Sequence, residues 1–313
     1  MGEALKDKNA VVTGAGGGIG RAVALALAEE GANVVVNDLG GDVSGKEGSS
    51  SAADEVVTEI KNKKGVAISN HESVADFDAA GRIIKSCIDN FGSIDILVNV
   101  AGNLRDKMCF NMSFDEWDSV IKVHLYGTFN CSRHACVPMK EQKSGRIISF
   151  SSDAYRGTMG HVNYGAAKGG IVSLMRSMAI ELGKYEITCN VICPLAATRM
   201  TMSEDTKEGY KKKVEAGWVT KEAYERFTSM PGPEFNAPMV VYLASDYGAN
   251  INGSVFSCGG GKIAVQSVAE EIHGIYKDYR EQGPWTMEEL KRIVPTAIGP
   301  HCPPPQTITP NWG

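Results

Sequence analysis

Short apolar runs alternate with longer amphipathic stretches along most of the chain. Seven of these runs are apolar almost throughout rather than at every second position, which predicts buried strands. In chain order they are Asn9–Thr13, Asn33–Asn37, Val66–Ser69, Ile94–Asn99, Arg146–Phe150, Thr188–Ile192 and, as the last strand, Ser254–Phe256. The stretches between them predict helices over Ile19–Glu30, from Ser51 to about Lys63, over Val74–Phe91 and Phe114–Lys140, and from Tyr164 to about Leu182. This alternation predicts an α/β fold with a doubly wound parallel sheet and helices on both faces.

Two segments depart from the alternation. Residues 199–232 form a charged, helical insert after a strand, at the place where a lid over a substrate would lie. The lysine run Lys211–Lys213 within it is interpreted as a solvated helix face. After Gly261 the composition changes again, and the tail contains the run Pro303–Pro305. The sequence therefore predicts one domain over residues 1–262 and a C-terminal extension over residues 263–313.

Composition and charge argue against several classes of protein. The 313 residues are 43% hydrophobic, enough for one large core, and the formal net charge is -5. No basic face indicates a nucleic-acid partner. No apolar run approaches the ~20 residues of a membrane span and no secretory signal is evident, so we expect a cytoplasmic protein without membrane contact. None of the eight cysteines forms a Cys-x-x-Cys pair, and they are interpreted as reduced core residues rather than metal ligands.

A glycine-rich run, Thr13-Gly14-Ala15-Gly16-Gly17-Gly18-Ile19-Gly20, joins the first predicted strand to the first predicted helix. Glycines let the backbone approach a pyrophosphate, and the helix N-terminus offers free amides and partial positive charge. Glycine-rich turns also occur without a ligand, so the run alone is a weak signal. Its position between a strand and a helix favours a dinucleotide-binding turn.

Asp38 ends the second predicted strand, where an acid can accept hydrogen bonds from the adenosine ribose of a dinucleotide. A carboxylate there repels a 2′-phosphate, and no Lys or Arg lies within residues 14–20 to offset it. The sequence thus favours NAD over NADP as the cofactor. The alternative is that Asp38 only caps a turn before Gly40 and Gly41.

Tyr164 and Lys168 stand four residues apart in Tyr-Gly-Ala-Ala-Lys, which places them on one face of a predicted helix. An ammonium beside a phenol lowers the pKa of the phenol and makes it a better acid or base near neutral pH. Together with the glycine run, this pair indicates hydride chemistry on a carbonyl or an alcohol.

Taken together, these motifs resemble the classical short-chain dehydrogenase/reductase family over residues 5–262. Further marks of the family are Asn99-Val100-Ala101-Gly102, a serine after the fifth strand, and Pro194 with Thr198. The resemblance implies a Rossmann-type fold, with Tyr164 as general acid/base, Lys168 as its partner, and Ser152 as the residue that positions the substrate oxygen. It also implies an NAD site formed by Gly14, Gly16, Gly18, Ile19, Gly20, Asp38, Leu39, Ser73, Val74, Asn99, Ala101, Gly102, Tyr164, Lys168, Pro194, Ala197 and Thr198.

Three residues replace those usual in the family. Val100 stands for the second asparagine, Leu195 for the glycine after the proline, and His124 for the helical asparagine of the catalytic tetrad. We interpret Val100 as a core change. His124 is either a satisfied structural residue or a member of the catalytic set that holds a water or carbonyl beside Lys168.

The catalytic serine has two candidates. The family serine usually lies thirteen residues before the tyrosine, which is Ser151 here, whereas alignment on the preceding strand selects Ser152. We choose Ser152 and infer a deletion of one residue in the turn that follows it.

Within the family, several features resemble the dehydrogenase module of peroxisomal multifunctional enzyme type 2 and its bacterial single-domain relatives. They are His124, Asn37–Asp42, Leu104–Asp106 and the extension past residue 262. This resemblance implies a 3-hydroxyacyl-CoA substrate, whose phosphates would meet Arg105, Lys107, Arg156 and Arg199. The insert supplies apolar residues that suit either a pocket for a bulky substrate or packing within the insert, namely Met200, Met202, Trp218, Phe227 and Met230.

Two other functions remain open at this point. One is a hydroxysteroid or cyclic-alcohol dehydrogenase, because the family shares its catalytic residues across such substrates. The other is a protein that binds the cofactor without catalysis. The resemblance also implies a homo-oligomer, a tetramer or a dimer, packed through the long helices that begin near Phe114 and Tyr164.

Overall fold

The computed structural model describes residues 2–41, 51–198, 202, 204–217 and 219–302 of the chain. The chain forms two compact units, residues 1–266 and residues 267–313. The sheet and the glycine-rich run belong to the first unit, and so do Tyr164 and Lys168.

One sheet of eight strands forms the centre of the first unit. The strands are β1 (Asn9–Thr13), β2 (Asn33–Asn37), β3 (Val66–Asn70), β4 (Ile96–Asn99), β5 (Gly145–Phe150), β6 (Ile187–Pro194), β7 (Val255–Gly259) and β8 (Lys262–Val265). Their order across the sheet is β3-β2-β1-β4-β5-β6-β7-β8, and the first seven are parallel. With helices on both faces, this order confirms the predicted doubly wound, Rossmann-type α/β fold.

The eighth strand shows that the prediction of Ser254–Phe256 as the last strand is wrong. β8 pairs antiparallel with β7, with Val265 opposite Phe256 and Ile263 opposite Cys258. Three of its four residues are exposed. The sequence does carry a short apolar run there, Ile263-Ala264-Val265, but it is shorter than the roughly four to eight residues by which strands are recognised, and it was overlooked.

Helices connect the strands. They are α1 (Gly18–Glu29), α2 (Ser51–Asn62), α3 (Phe77–Phe91), α4 (Phe114–Ile121), α5 (Gly127–Gln142), α6 (Val162–Leu182), α7 (Glu204–Glu215), α8 (Lys221–Thr228) and α9 (Ala237–Ala244). α3 begins after Asp76, later than the predicted Val74, because the Asp76 carboxylate caps it by accepting from the N–H of Ala79 at 2.7 Å. The stretch predicted as one helix over Phe114–Lys140 is α4 and α5 joined by a π-helical turn, Lys122–Tyr126. No helix among the described residues has both the length and the apolar character needed to cross a membrane.

Neighbouring residues on each central strand face opposite sides of the sheet and supply two hydrophobic cores. Val12 and Val34 belong to the core beneath α1, α2 and α9, whereas Val11 and Val35 belong to the core beneath α3, α5 and α6. All four valines are fully buried. Burial on both faces explains why these strands are unbroken apolar runs in the sequence.

All eight cysteines are free, and five of them are buried. This agrees with their interpretation as core residues in those five cases. Cys109 and Cys302 are exposed instead.

The insert is helical where the structure describes it. α7 and α8 pack through Tyr210 and Phe227, whose rings stack with centroids 4.1 Å apart. Phe227 is buried, which favours packing within the insert for this residue. Lys211 and Lys212 are exposed, as a solvated face requires. Among residues singled out in the sequence, Arg199, Met200 and Trp218 lie outside the described residues.

Over residues 267–302, the second unit contains two α-helices, α10 (Tyr279–Gln282) and α11 (Met287–Ala297). Thr286 and Glu289 form a capping box at the start of α11. The Lys277 ammonium lies 2.9 Å from a carboxylate oxygen of Glu289 and 4.8 Å from the ring centre of Trp285. The run Pro303–Pro305 lies outside the described residues.

Asn190 on β6 fastens the loop that leads into β7. Its side chain is fully buried, donates to the carbonyl of Ile251 at 2.7 Å and accepts from the N–H of Ser254 at 3.1 Å. Alanine would leave both backbone groups without these partners. We therefore expect Asn190→Ala to lower the free energy of unfolding, measured by urea denaturation, by about 2–3 kcal/mol.

The matched control is Asn90→Ala on α3. Asn90 is exposed, and its amide makes one hydrogen bond to the carbonyl of Ser86 at 2.8 Å. Its loss should lower the free energy of unfolding by less than about 1 kcal/mol. Equal losses in the two variants would contradict the role assigned to Asn190.

Candidate active site

A cleft opens at the carboxyl edge of the sheet. The chain runs outward from β1 through β2 and β3, returns to β4, and then continues in the opposite direction. In doubly wound folds, ligands bind at such a switch point. The cavity found there has a volume of about 260 Å³. Its wall includes Gly14, Ile19, Asp38, Ser73, Ala101, His124, Tyr164, Lys168, Pro194 and Thr198.

The glycine-rich turn forms one side of this cleft. Gly14 and Gly18 have positive φ angles of 65° and 52°, a conformation that favours glycine. A Cβ on Gly14 would lie 2.7 Å from Cα of Ala101, and a Cβ on Gly20 would lie 2.1 Å from the carbonyl oxygen of Gly14. The turn thus packs backbone against backbone. This packing places the free amides at the start of α1 in the wall of the cleft, where they could bind a pyrophosphate.

Asp38 is oriented by two backbone groups. The N–H of Gly16 donates to one carboxylate oxygen at 2.8 Å, and the N–H of Gly40 donates to the other at 2.7 Å. Each oxygen keeps a lone pair for a further donor such as a ribose hydroxyl. The carboxylate therefore caps the turn before Gly40 and also lines the cleft, so the two interpretations of Asp38 are compatible.

α6 brings Tyr164 and Lys168 into the same end of the cleft. The Lys168 ammonium donates to the carbonyl of Phe150 at 2.6 Å and lies 5.4 Å from the ring centre of Tyr164. The phenol also forms a hydrogen bond with the side chain of Ser152. A phenol, an amine and a hydroxyl are thus brought together beside the glycine-rich turn.

The two candidate serines make different contacts. Ser151 is 1% exposed, and its hydroxyl donates to the carbonyl of Lys168 at 2.9 Å, which binds it to the backbone of α6. Ser152 precedes a 3₁₀ turn, accepts from the N–H of Ala154 at 3.2 Å and reaches the phenol of Tyr164. Ser151 lines the cavity, whereas Ser152 does not, so the choice of Ser152 stays a prediction.

Burial dominates the electrostatics of the Tyr164–Lys168 pair. It raises the pKa of Tyr164 to about 12 in spite of the hydrogen bond with Ser152, and it lowers the pKa of Lys168 to about 7. The pKa of Tyr164 is therefore raised and not lowered as the sequence predicted, because burial of the phenol is the largest cause. Removing the amine from water favours its neutral form, so near neutral pH the positive charge that would stabilise a phenolate is only partly present.

His124 lies in the π-helical turn between α4 and α5, a distortion that often marks functional sites. Its ring is 2% exposed and meets the ring of Tyr164 edge-on, with centroids 5.1 Å apart. Nε2 lies 2.7 Å from the carbonyl oxygen of Asn103, and a Cβ on Gly102 would lie 2.3 Å from the imidazole. Burial lowers the pKa of His124 to about 3, so the ring is neutral at physiological pH.

The sequence model of the short chain dehydrogenases matches residues 8–209. This chain belongs to the short-chain dehydrogenase/reductase family. It is 46% identical over 266 residues to a Mycobacterium tuberculosis protein named "Putative short-chain type dehydrogenase/reductase Rv0148", covering 85% of this chain and 86% of that protein. It is 38% identical to a short chain dehydrogenase from Mycobacterium avium whose crystal structure matches with a TM-score of 0.78, covering 96% of this chain and 98% of that one.

Two further relatives bear on the subfamily. Mouse peroxisomal multifunctional enzyme type 2 is 44% identical over 257 residues, which cover 81% of this chain but only 32% of that enzyme. Hydroxyacyl-CoA dehydrogenase ChsB1 of M. tuberculosis is 37% identical over 272 residues, covering 84% of this chain and 80% of that protein. The resemblance to the family and to the multifunctional enzyme, predicted from the motifs, is confirmed.

Most residues predicted at the cofactor site of this short-chain dehydrogenase/reductase lie in the cleft wall. They are Gly14, Gly18, Ile19, Gly20, Asp38, Leu39, Ser73, Val74, Ala101, Gly102, Tyr164, Lys168, Pro194 and Thr198. The predicted residues outside the wall are Gly16, Asn99, Ser152 and Ala197. Gly16 acts through Asp38, whereas the Asn99 amide donates to the hydroxyls of Ser132 and Ser149, both at 3.1 Å, and so ties β4 to its neighbours.

The departure at Leu195 has a counterpart on the neighbouring strand. A Cβ on Gly259 of β7 would lie 2.3 Å from the carbonyl oxygen of Leu195 and 2.7 Å from its Cβ. The shorter contact is with the backbone, so glycine is required at position 259 whichever residue stands at position 195, and its positive φ of 150° favours glycine as well. Val100 packs against the core beneath α1, as a core change would.

Sequence reasoning missed Asn163. This residue is fully buried, and its amide donates to the carbonyls of Arg105 and Glu116, both at 2.9 Å. It therefore ties the loop after β4 and the helix α4 to the start of α6, directly beside Tyr164. The available signal was a polar residue immediately before Tyr164.

The buried imidazole of His124 should make the free energy of unfolding depend on pH. Its pKa is about 3 in the folded state against 6.5 ordinarily, so the unfolded state binds an extra proton between those values. The neutral imidazole therefore contributes its full share to the free energy of unfolding above about pH 6.5. That share is lost as the pH falls toward 3, by up to about 1.4 kcal/mol per pH unit.

We expect His124→Asn to reduce the slope of unfolding free energy against pH over about pH 4.5–6.5. Urea denaturation at a series of pH values measures this slope, and the comparison is of slopes rather than of absolute stability. Parallel curves for the variant and the wild type would contradict the assignment.

Proposed function

We propose that this protein is an NAD-dependent dehydrogenase that interconverts a secondary alcohol and a ketone. Membership of the family establishes an oxidoreductase acting on a CH–OH group. The observation that supports the rest is that Tyr164, Lys168 and Asp38 line one cleft. Ser152 lies outside its wall but forms a hydrogen bond with the phenol of Tyr164.

The residues of the cleft fit a nicotinamide dinucleotide. The glycine-rich turn and the start of α1 would hold the pyrophosphate, and Asp38 the adenosine ribose. Lys168 would hold the nicotinamide ribose, and Pro194 with Thr198 the carboxamide. When bound, this cofactor accepts a hydride from the alcohol carbon or returns it to the ketone.

Tyr164 handles the proton of this reaction. Its phenolate removes the proton from the substrate hydroxyl in oxidation, and its phenol donates that proton in reduction. Ser152 donates a hydrogen bond to the substrate oxygen, where negative charge develops. Because the Lys168 ammonium lies near the phenol, protonation of Lys168 and ionisation of Tyr164 favour each other. Neutral His124 packs against the ring of Tyr164 and limits its movement.

We further propose a 3-hydroxyacyl-CoA and its 3-oxo form as the substrate pair. Support comes from the relative named hydroxyacyl-CoA dehydrogenase. The basic residues expected at the CoA phosphates add less, because Arg105 pairs with Asp115 at 2.8 Å and Arg156 with Asp153 at 2.6 Å. Lys107 is exposed. A β-bridge between its backbone and that of residue 161 places it near the start of α6.

Self-association belongs to the same proposal. Apolar side chains are exposed along α4 and α5, with Phe114 78%, Tyr126 52% and Phe129 45% exposed. Such a surface supports packing against a second copy, as expected for a dimer or tetramer.

NADH oxidation by the purified protein tests the reaction. We expect turnover of 3-oxoacyl-CoA, and Tyr164→Phe should lower kcat by about 10²–10⁴-fold because the proton donor is removed. NADH binding, followed by fluorescence, should persist in the variant. Tyr247→Phe is the matched control, since Tyr247 is 72% exposed. Unchanged turnover in Tyr164→Phe would refute the mechanism, and turnover of ketosteroids or cyclic ketones alone would refute the substrate.

Asp38 should decide between the two nicotinamide cofactors. Asp38→Ala removes the carboxylate that repels a 2′-phosphate, so we expect the ratio of kcat/KM for NADPH to that for NADH to rise at least about tenfold, or ~1.4 kcal/mol. Asp89→Ala removes an exposed carboxylate on α3 and should leave the ratio unchanged. A wild type that prefers NADPH would overturn the choice of NAD.

A further inference from the structure

Gln266, the residue after β8, is hydrogen-bonded to the turn that follows the catalytic serine. The Tyr155 hydroxyl donates to its side-chain oxygen at 2.6 Å. Its side-chain nitrogen donates to a carboxylate oxygen of Asp153 at 3.0 Å and to the hydroxyl of Ser257 at 2.8 Å. Its backbone N–H donates to the carbonyl of Val255 at 2.7 Å. One residue at the edge of the sheet is therefore bonded both to β7 and to the turn after β5.

Tyr155 bridges the turn after β5 and the residue that follows β8. Its ring packs in the core beneath α6 together with Cys193 of β6, and β6 lies between β5 and β7 in the sheet. Ser257 is two residues from the core residue Val255 and so faces the same side of the sheet. The hydroxyl of Tyr155 thus crosses over β6 and finds its acceptor in Gln266.

The same turn lies directly on the catalytic helix. A Cβ on Gly165 would lie 3.1 Å from the carbonyl oxygen of Ala154, and a Cβ on Gly169 would lie 4.0 Å from Cβ of Tyr155. These two glycines follow Tyr164 and Lys168 in the sequence. The turn is therefore held between α6 on one side and Gln266 on the other.

We propose that Gln266 is a positioning residue for the Ser152 hydroxyl, acting through Asp153 and Tyr155, so that β8 helps to set the geometry of the reaction. Only an amide at this place supplies both an acceptor for a phenol and two donors for a carboxylate and a hydroxyl. Ser152 adjoins Asp153, so a shift of the turn moves the serine relative to Tyr164. This proposal rests on the dehydrogenase function proposed above, because it concerns the same serine.

A variant in which the donors of Gln266 become acceptors tests this positioning role. Gln266→Glu keeps the acceptor for Tyr155 but removes both donors and faces Asp153 with a second carboxylate. We expect kcat to fall about tenfold or more while the KM for NADH stays within about twofold, because a misplaced serine affects the reacting oxygen and not cofactor binding.

A compensating change should restore the contact. In the double variant Gln266→Glu/Asp153→Asn, the new asparagine donates to the new glutamate, so we expect kcat to return to within about threefold of the wild type. Asp153→Asn alone leaves Gln266 an acceptor and loses only a half-exposed ion pair with Arg156, so it should have little effect. Gln282→Glu adds the same charge at an exposed position and is the control for charge alone. A double variant as slow as Gln266→Glu would overturn the proposal.

The pH profile of Gln266→Glu provides a signature that general loss of stability would not produce. Two carboxyl groups that share a site raise the pKa of one of them, and the protonated group can then donate to the other. We expect kcat of this variant, relative to the wild type, to rise as the pH falls from about 8 to about 6. A pH-independent defect would count against the positioning role.

Amide hydrogen exchange of residues 151–157, measured without substrate, separates the two proposals. Exchange should be faster in Gln266→Glu than in the wild type and should return to the wild-type rate in the double variant. If the wild type reduces none of the substrates tested, the proposed function fails, and exchange still decides whether Gln266 holds the turn. Unchanged exchange in Gln266→Glu would overturn the positioning role even in an active enzyme.

Discussion

The buried hydrogen bond from the Lys168 ammonium to the Phe150 carbonyl is the interaction on which the site depends. An amine removed from water needs a close acceptor, so this bond fixes the rotation of α6 against the end of β5. Tyr164 lies one turn earlier on the same face, and Ser152 lies two residues beyond the acceptor. The Ser151 hydroxyl adds a second link from the end of β5 to the backbone of α6. The positions of the Tyr164 phenol and of Ser152 are therefore set by the hydrogen bonds of their neighbours, Lys168 and Ser151.

Close contacts at glycines connect this end of the cleft with the other. Gly14 of the cofactor turn packs against Ala101 after β4, and the next residue, Gly102, leaves room for the ring of His124. That ring in turn meets the ring of Tyr164. A continuous series of packed groups thus runs from the glycine-rich turn to the phenol of Tyr164. Each contact in it requires either the absence of a side chain or the presence of a flat ring.

The sequence predicted the central strands because burial on both faces leaves apolar runs, and it predicted the cleft because strand ends carry recognisable motifs. β8 and Gln266 were missed because the apolar run Ile263-Ala264-Val265 is too short to indicate a strand, and because nothing in the sequence shows which side chains Gln266 contacts. Alignment selected Ser152, and that choice stays a prediction. The Ser151 hydroxyl is bound to the backbone of α6 and Ser152 reaches the phenol of Tyr164, but Ser151 is the one that lines the cavity. The pKa of Tyr164 was predicted in the wrong direction because a spacing of four shows that Lys168 is near but not how deeply both groups are buried.

The close contact between Gly259 and Leu195 constrains one of the two positions and leaves the other open. A Cβ at position 259 would meet the backbone carbonyl oxygen of Leu195, so glycine is required there whichever residue follows Pro194. The Leu195 residue itself is 49% exposed. Where one strand end approaches the backbone of its neighbour this closely, we therefore expect related chains to keep glycine on the approaching strand and to vary at the residue it approaches.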